Sequence, residues 1–118
     1  MSELSISLSG QPGDTDSRFL LARSYHKQRR YDDALREYAL VLQTDPEREA
    51  LAHFCIGSLF ADQGRIIDAI QSFEQSIRAD PAQGEAHFRL AECYKHEGHK
   101  DKATLEFQTA KRLGFNNE

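Results

Sequence analysis

Residues 56–81 read IGSLFADQGRIIDAIQSFEQSIRADP, and the spacing within that stretch decides the fold. Bulky Ile56 precedes tiny Gly57, and the aromatic Phe60 stands three positions beyond the glycine. Gly64 separates two apolar periodicities, where a tight turn needs a residue tolerant of positive φ. Ala69 comes next, Phe73 four residues after it, and Asp80-Pro81 closes the unit, because proline cannot extend the preceding helix. The stretch therefore predicts two helices joined by a turn. Small residues would let their backbones approach, and aromatic rings would fill the space between them.

The same pattern stands on both sides of it. Leu21-Ala22 with Tyr25, and Leu90-Ala91 with Tyr94, repeat the bulky-small-aromatic group. Ala34 with Tyr38, and Ala103 with Phe107, repeat the second helix, at spacings of 35 and then 34 residues. Gly98 supplies the third turn, whereas Arg29 holds the glycine position in the first. A non-glycine residue in a left-handed turn costs on the order of 1 kcal/mol. Asp45-Pro46 closes the first copy, and Leu113-Gly114-Phe115 ends the third with a glycine stop and an apolar residue able to fold back on the last turn. A period in this range marks stacked helical hairpins, which present a surface more often than they run a reaction.

Together these residues make the chain resemble the tetratricopeptide repeat (TPR) family over roughly residues 15 to 117. The resemblance implies an all-α fold: a right-handed α-solenoid of three helix-turn-helix hairpins, six helices in all, with a concave groove lined by the first helix of each pair. The expected layout is a disordered tail over 1–14 and a domain over 15–118, with repeats at 15–49, 50–83 and 84–117. The tryptophan common early in the family's first helix is replaced by Arg18, His53 and His87. The two histidines are expected to pack as half-buried rings.

Composition narrows the function. The 118 residues carry a net charge of -4 and a pI near 5.7, which argues against nucleic-acid binding. Lacking an apolar run long enough for a membrane span or a secretory signal, the chain is expected to be cytoplasmic. Cys55 and Cys93 occupy different places in their repeats and read as reduced, packed thiols. No phosphate-binding glycine loop, nucleophile elbow or helical two-histidine zinc motif occurs, so neither catalysis nor a cofactor is expected. Cys93, His96 and His99 are spaced by threes, but a zinc site would want a fourth ligand and an outer shell, and Cys93 should point inward. Lys27, Arg29 and Arg30 precede Asp32 and Asp33, which suit the positive end of a helix, so the basic cluster reads as a solvated turn.

Differences between the copies locate the surfaces. On the second helices the stripe facing the next repeat is Tyr31, Leu35 and Leu42, then Ile66, Ile70 and Ile77, and finally Lys100, Thr104 and Lys111. Ser17 and Ser24 stand where the later copies carry Ala52 with Leu59 and Ala86 with Cys93. Polar stripes at both ends lead to the expectation of a self-contained three-repeat protein. Leu105 is an apolar exception that could mark a weak contact.

The first helices place Phe19, Phe54 and Phe88 in one column, followed by Leu20, Cys55 and Arg89, then Arg23, Ser58 and Glu92. Lys27 and Lys95 lie toward the turn ends. If the phenylalanines face the groove they form an apolar floor; the alternative is that they pack on their own second helices. The reading is a non-catalytic adaptor whose groove takes an extended or helical protein segment with apolar anchors and some acidic residues. Self-assembly, including a homo-dimer, through the tail, the groove or Leu105 is the alternative. A co-chaperone carboxylate clamp fits less well, since Glu85 would repel the ligand and only Arg23 and Arg89 could serve it. A secretion chaperone is also less favoured, because the helices such proteins add around their repeats are not evident. Arg36, Glu37, Gln43, Gln71, Glu74, Gln75, Arg78, Gln108 and Arg112 are expected to form a solvated convex back. Leu4, Ile6 and Leu8 alternate with serines in the tail, which could also occupy a groove.

Overall fold

The structure, a computed structural model, describes residues 15–115. The expectations for the tail, including Leu4, Ile6 and Leu8, lie outside the described residues. Six α-helices follow one another: α1 (Thr15–Lys27), α2 (Tyr31–Thr44), α3 (Glu49–Asp62), α4 (Ile66–Ala79), α5 (Gly84–His96) and α6 (Lys100–Arg112). A 3-10 turn over Pro46–Arg48 leads into α3. Among the described residues there is no strand, and no helix is long and apolar enough to cross a membrane.

The three hairpin turns are copies of one another. Arg29, Gly64 and Gly98 take φ of 64°, 79° and 84°, and the next residue donates its backbone N–H to the aromatic five positions before it. These bonds are Arg30 to Tyr25 at 2.9 Å, Arg65 to Phe60 at 2.9 Å and His99 to Tyr94 at 2.8 Å. Arg30 and Arg65 then lie over those same rings at 4.6 Å, a cation–π contact that seals the turn. At the chain's last helix stop Gly114 has φ 91°, and Phe115 donates to the Ala110 carbonyl at 3.0 Å. Its ring therefore folds back, as the apolar residue after a glycine stop does.

Within each hairpin the small residues sit where backbones meet. Ala22, Ala34, Ala69, Ala91 and Ala103 are buried, with Tyr38 and Phe73 fully buried between helices. Each second helix also packs on the next first helix, α2 on α3 and α4 on α5. Tyr31, Leu35 and Leu42 pack on the first core cluster, and Ile66, Ile70 and Ile77 on the second, while Lys100, Thr104 and Lys111 are exposed. One-dimensional stacking gives an elongated body of 48 × 26 × 25 Å.

The tryptophan replacements are built into pairs. Arg18 meets Glu37 at 3.0 Å, and His87 meets Glu106 at 2.6 Å, each across its own hairpin. His53 is half-buried as expected; His87 is buried outright, with its second ring nitrogen donating to the Pro81 carbonyl at 3.0 Å. Burial pushes the His53 imidazole below its ordinary range, partly offset by Glu49. Two residues assigned to the solvated back turn inward instead. Glu37 holds Arg18, and Glu74 accepts the Tyr94 hydroxyl at 2.6 Å. A buried cation or hydroxyl needs an acceptor, and the neighbouring helix supplies it.

Candidate partner-binding groove

The first helices line two consecutive clefts. One, of about 570 Å³, lies between α1 and α3 and is bounded by Asp16, Phe19, Leu20, Arg23, His26, Tyr38, Arg48, Leu51, Phe54, Cys55 and Ser58. The next, of about 320 Å³, lies between α3 and α5 and is bounded by Ser58, Ala61, Asp62, Ile66, Phe73, Arg89, Glu92, Cys93 and His96. Ser58 belongs to both, so they form one path across the stack.

The phenylalanine column is a packing device more than a floor. Phe19 lies 6.0 Å from the Tyr38 ring, Phe54 5.6 Å from Phe73, and Phe88 5.3 Å from Phe107 and 5.2 Å from Phe115. Phe19 is only 7% exposed. Phe19 and Phe54 still show an edge to the first cleft, but Phe88 turns to its own hairpin, so no continuous floor runs through all three. The reason is geometric: a side chain leans toward the N-terminus of its helix, and an aromatic ring reaches sideways to the adjacent helix.

Apolar surface in the first cleft comes instead from its rims. Leu20 is 65% exposed and Leu51 45% exposed, on facing helices. Below them burial pushes both the Tyr38 phenol and the Cys55 thiol up from their ordinary ranges. Arg48 and Asp16 form an ion pair at one end of the cleft, and exposed Arg23 stands toward the other. Arg89 in the second cleft is shared between Glu85 at 3.5 Å and Glu92 at 3.8 Å, which spends much of its charge locally. Lys95 is exposed beyond the cleft, and Lys27 belongs to a neighbouring hollow.

Leu51, in the same outward helical column as Asp16 and Glu85, joins the candidate binding residues as a rim of the first cleft. His26 and Asp62 join them: their side chains meet at 2.6 Å from different repeats, a contact that carries no local signal in the sequence. Both thiols are free, Cys93 buried and Cys55 partly so, and among the described residues no three His, Cys, Asp or Glu side chains are grouped as a metal would require.

A family profile described as tetratricopeptide repeat matches residues 60–117, and a second of the same description matches residues 4–53. No curated protein matches the chain significantly. Among solved structures the chain is similar to a MamA point mutant at 26% identity and a TM-score of 0.72, over 96% of this chain and 82% of that one. A crystal structure of MamA superposes with a TM-score of 0.82 at 17% identity, over 95% of this chain but 65% of the other, so the chain spans a little under two thirds of it. The second TPR of Spaghetti (RPAP3), bound to the HSP90 peptide SRMEEVD, gives a TM-score of 0.77 at 19% identity over 86% and 94% of the two chains. At such identities the last two show the fold alone.

Proposed function

The chain belongs to the tetratricopeptide repeat family, and on that premise we propose that it is a non-catalytic adaptor holding an extended or helical segment of a partner protein in the groove of α1, α3 and α5. The observation that carries this reading is the α1–α3 cleft. Two large apolar side chains, Leu20 and Leu51, stand exposed on its opposite rims, with Arg23 beside them. Leucines left exposed on the two sides of one concavity keep apolar surface uncovered in the monomer and suit the anchors of a bound segment. Arg23 would draw in acidic neighbours of those anchors and set orientation. A TPR of the same fold is solved bound to the HSP90 peptide SRMEEVD, which supports a ligand carrying acidic residues; in this chain Glu85 and Glu92 already engage Arg89.

Selection from a displayed random-peptide library tests the proposal. Enriched peptides should combine apolar anchors with acidic residues, and Leu20→Asp or Arg23→Glu should weaken them at least tenfold with unchanged circular dichroism. Leu105→Asp, on the exposed face of α6, is the control. Peptides that bind all three variants equally would overturn the groove reading. Self-assembly is the competing reading, favoured by Leu105 at 62% exposure; a dimer in light scattering that Leu105→Asp dissolves would establish it.

A further inference from the structure

Beside the apolar cleft lies a hollow of about 510 Å³, walled by Arg23, His26, Lys27, Arg29, Tyr31 and Asp62. It forms where the end of α1, the first turn, the start of α2 and the end of α3 converge. Three of its six walls are cations at neutral pH. Among the described residues none of those three has a carboxylate within ion-pair distance, whereas Arg30, Arg36, Arg48, Arg65 and Arg89 each have one. The hollow's own carboxylate, Asp62, is engaged by His26.

The fold separates side chains that the sequence sets together. Arg30 lies over Tyr25 at 4.6 Å and pairs with Asp33 at 2.8 Å, while Arg29 goes to the hollow. The basic cluster is solvated as the sequence suggested, with Lys27, Arg29 and Arg30 all exposed, but its side chains diverge to different surroundings. Arg29 is the one non-glycine residue with positive φ among those described, in a position that Gly64 and Gly98 fill in the other repeats. A long cation at that point accepts backbone strain, and it brings a third positive charge to a hollow already lined by Arg23 and Lys27. Both costs are offset when an anion with several oxygens sits between the cations. Guanidinium forks bind phosphate oxygens in pairs, and a dianion neutralises more of the cluster than one carboxylate can.

We propose that this hollow is a site for a phosphoryl dianion, carried by a phosphorylated side chain of the segment held in the adjoining cleft. Arg23 and His26 line both spaces, so one bound segment can place an apolar anchor at Leu20 and Leu51 and its phosphate at Arg29. The source of the phosphate rests on the groove reading; the anion site does not. On a chain of net charge -4 such a spot also focuses the local field on an approaching anion.

Amide-resolved NMR titration tests it, with inorganic phosphate, N-acetyl-phosphoserine amide, its unphosphorylated counterpart and chloride at matched ionic strength. Saturable shifts confined to the hollow are expected with both phosphates, tighter for the phosphoserine probe. Binding should fall at least fivefold in Arg29→Gly, a change that relieves backbone strain and so keeps the fold, and should persist in Arg29→Lys. Shifts that never saturate, or that survive Arg29→Gly, would overturn the site. Inorganic phosphate binding without the phosphoserine probe would overturn its assignment to a side chain. Failure of the groove reading shows separately, in the Leu20→Asp peptide measurements, and leaves these titrations unaffected.

Discussion

His87 Nδ1 lies 2.6 Å from Glu106 Oε1, and two repeats earlier Arg18 and Glu37 make the same contact from the same two places. A polar residue where the family often carries tryptophan is thus answered by a carboxylate on the partner helix. Glu106 is about a quarter exposed, so solvent discounts the pair. Glu106→Leu should cost about 1–2 kcal/mol, chiefly by leaving a buried ring nitrogen unmet. His87→Phe with Glu106→Leu should recover at least half of that in urea denaturation, because an apolar pair can replace a buried polar one.

Gly57 is matched to the Phe73 ring. A Cβ there would lie 2.8 Å from Cδ1 and Cε1 of a ring that is fully buried and has nowhere to move. Although Ala22 and Ala91 hold this place in the other repeats, Gly57→Ala should lose about 1–3 kcal/mol to overpacking, less the gain in helix propensity. Its urea midpoint should fall.

Arg29→Gly should act in the opposite direction. Removing the side chain at φ 64° relieves strain on the order of 1 kcal/mol, which for a domain of this size raises Tm by about 4 °C. Differential scanning calorimetry checks it, and a lowered Tm would show that Arg29 contributes contacts worth more than the strain.

Burial pushes the Cys93 thiol up from 9.0 to about 11, with Glu92 adding to the shift and Arg89 opposing it. An unfolded thiol gives up its proton near its ordinary value, so between these limits the folded state binds more protons than the unfolded one. Stability is then intact below pH 9 and is lost as pH rises toward 11. Urea midpoints at pH 7, 9 and 10.5 should fall in that order, and Cys93→Ala should shrink the alkaline loss.

Phe115 closes the far end of the stack, its ring against Phe88 and its Cβ against Gly84, where an added Cβ would come within 2.7 Å. Phe115→Ala should destabilise by about 2 kcal/mol, less than a fully buried ring would because the residue is partly exposed. Amide exchange should rise first in α5 and α6, where the contact is lost.

The turns were legible residue by residue. Gly64 and Gly98 announced left-handed backbone, and the register of the repeats extended it to Arg29. The stripes of Leu35 and Leu42, and of Ile70 and Ile77, were equally plain, since residues three, four and seven apart share a helix face. The groove was less so. Phe19, Phe54 and Phe88 sit on outward positions of a helical wheel, yet each ring reaches the aromatic nineteen residues later on its partner helix.

From the sequence by itself came the period, the helix pairs, the turn conformations and the places where backbones approach, all set by short-range spacing that helix geometry makes regular. Only the tertiary structure decided that Leu20 and Leu51 face each other, that Asp62 answers His26, and that Arg29 points into a hollow while Arg30 is tied to Asp33 and Tyr25. The first two relations, and the meeting of Arg29 with Asp62 in one hollow, join side chains from different hairpins, whereas the ties of Arg30 to Asp33 and Tyr25 are local to the turn. The partners across hairpins depend on how the elements superpose, which no spacing along the chain records.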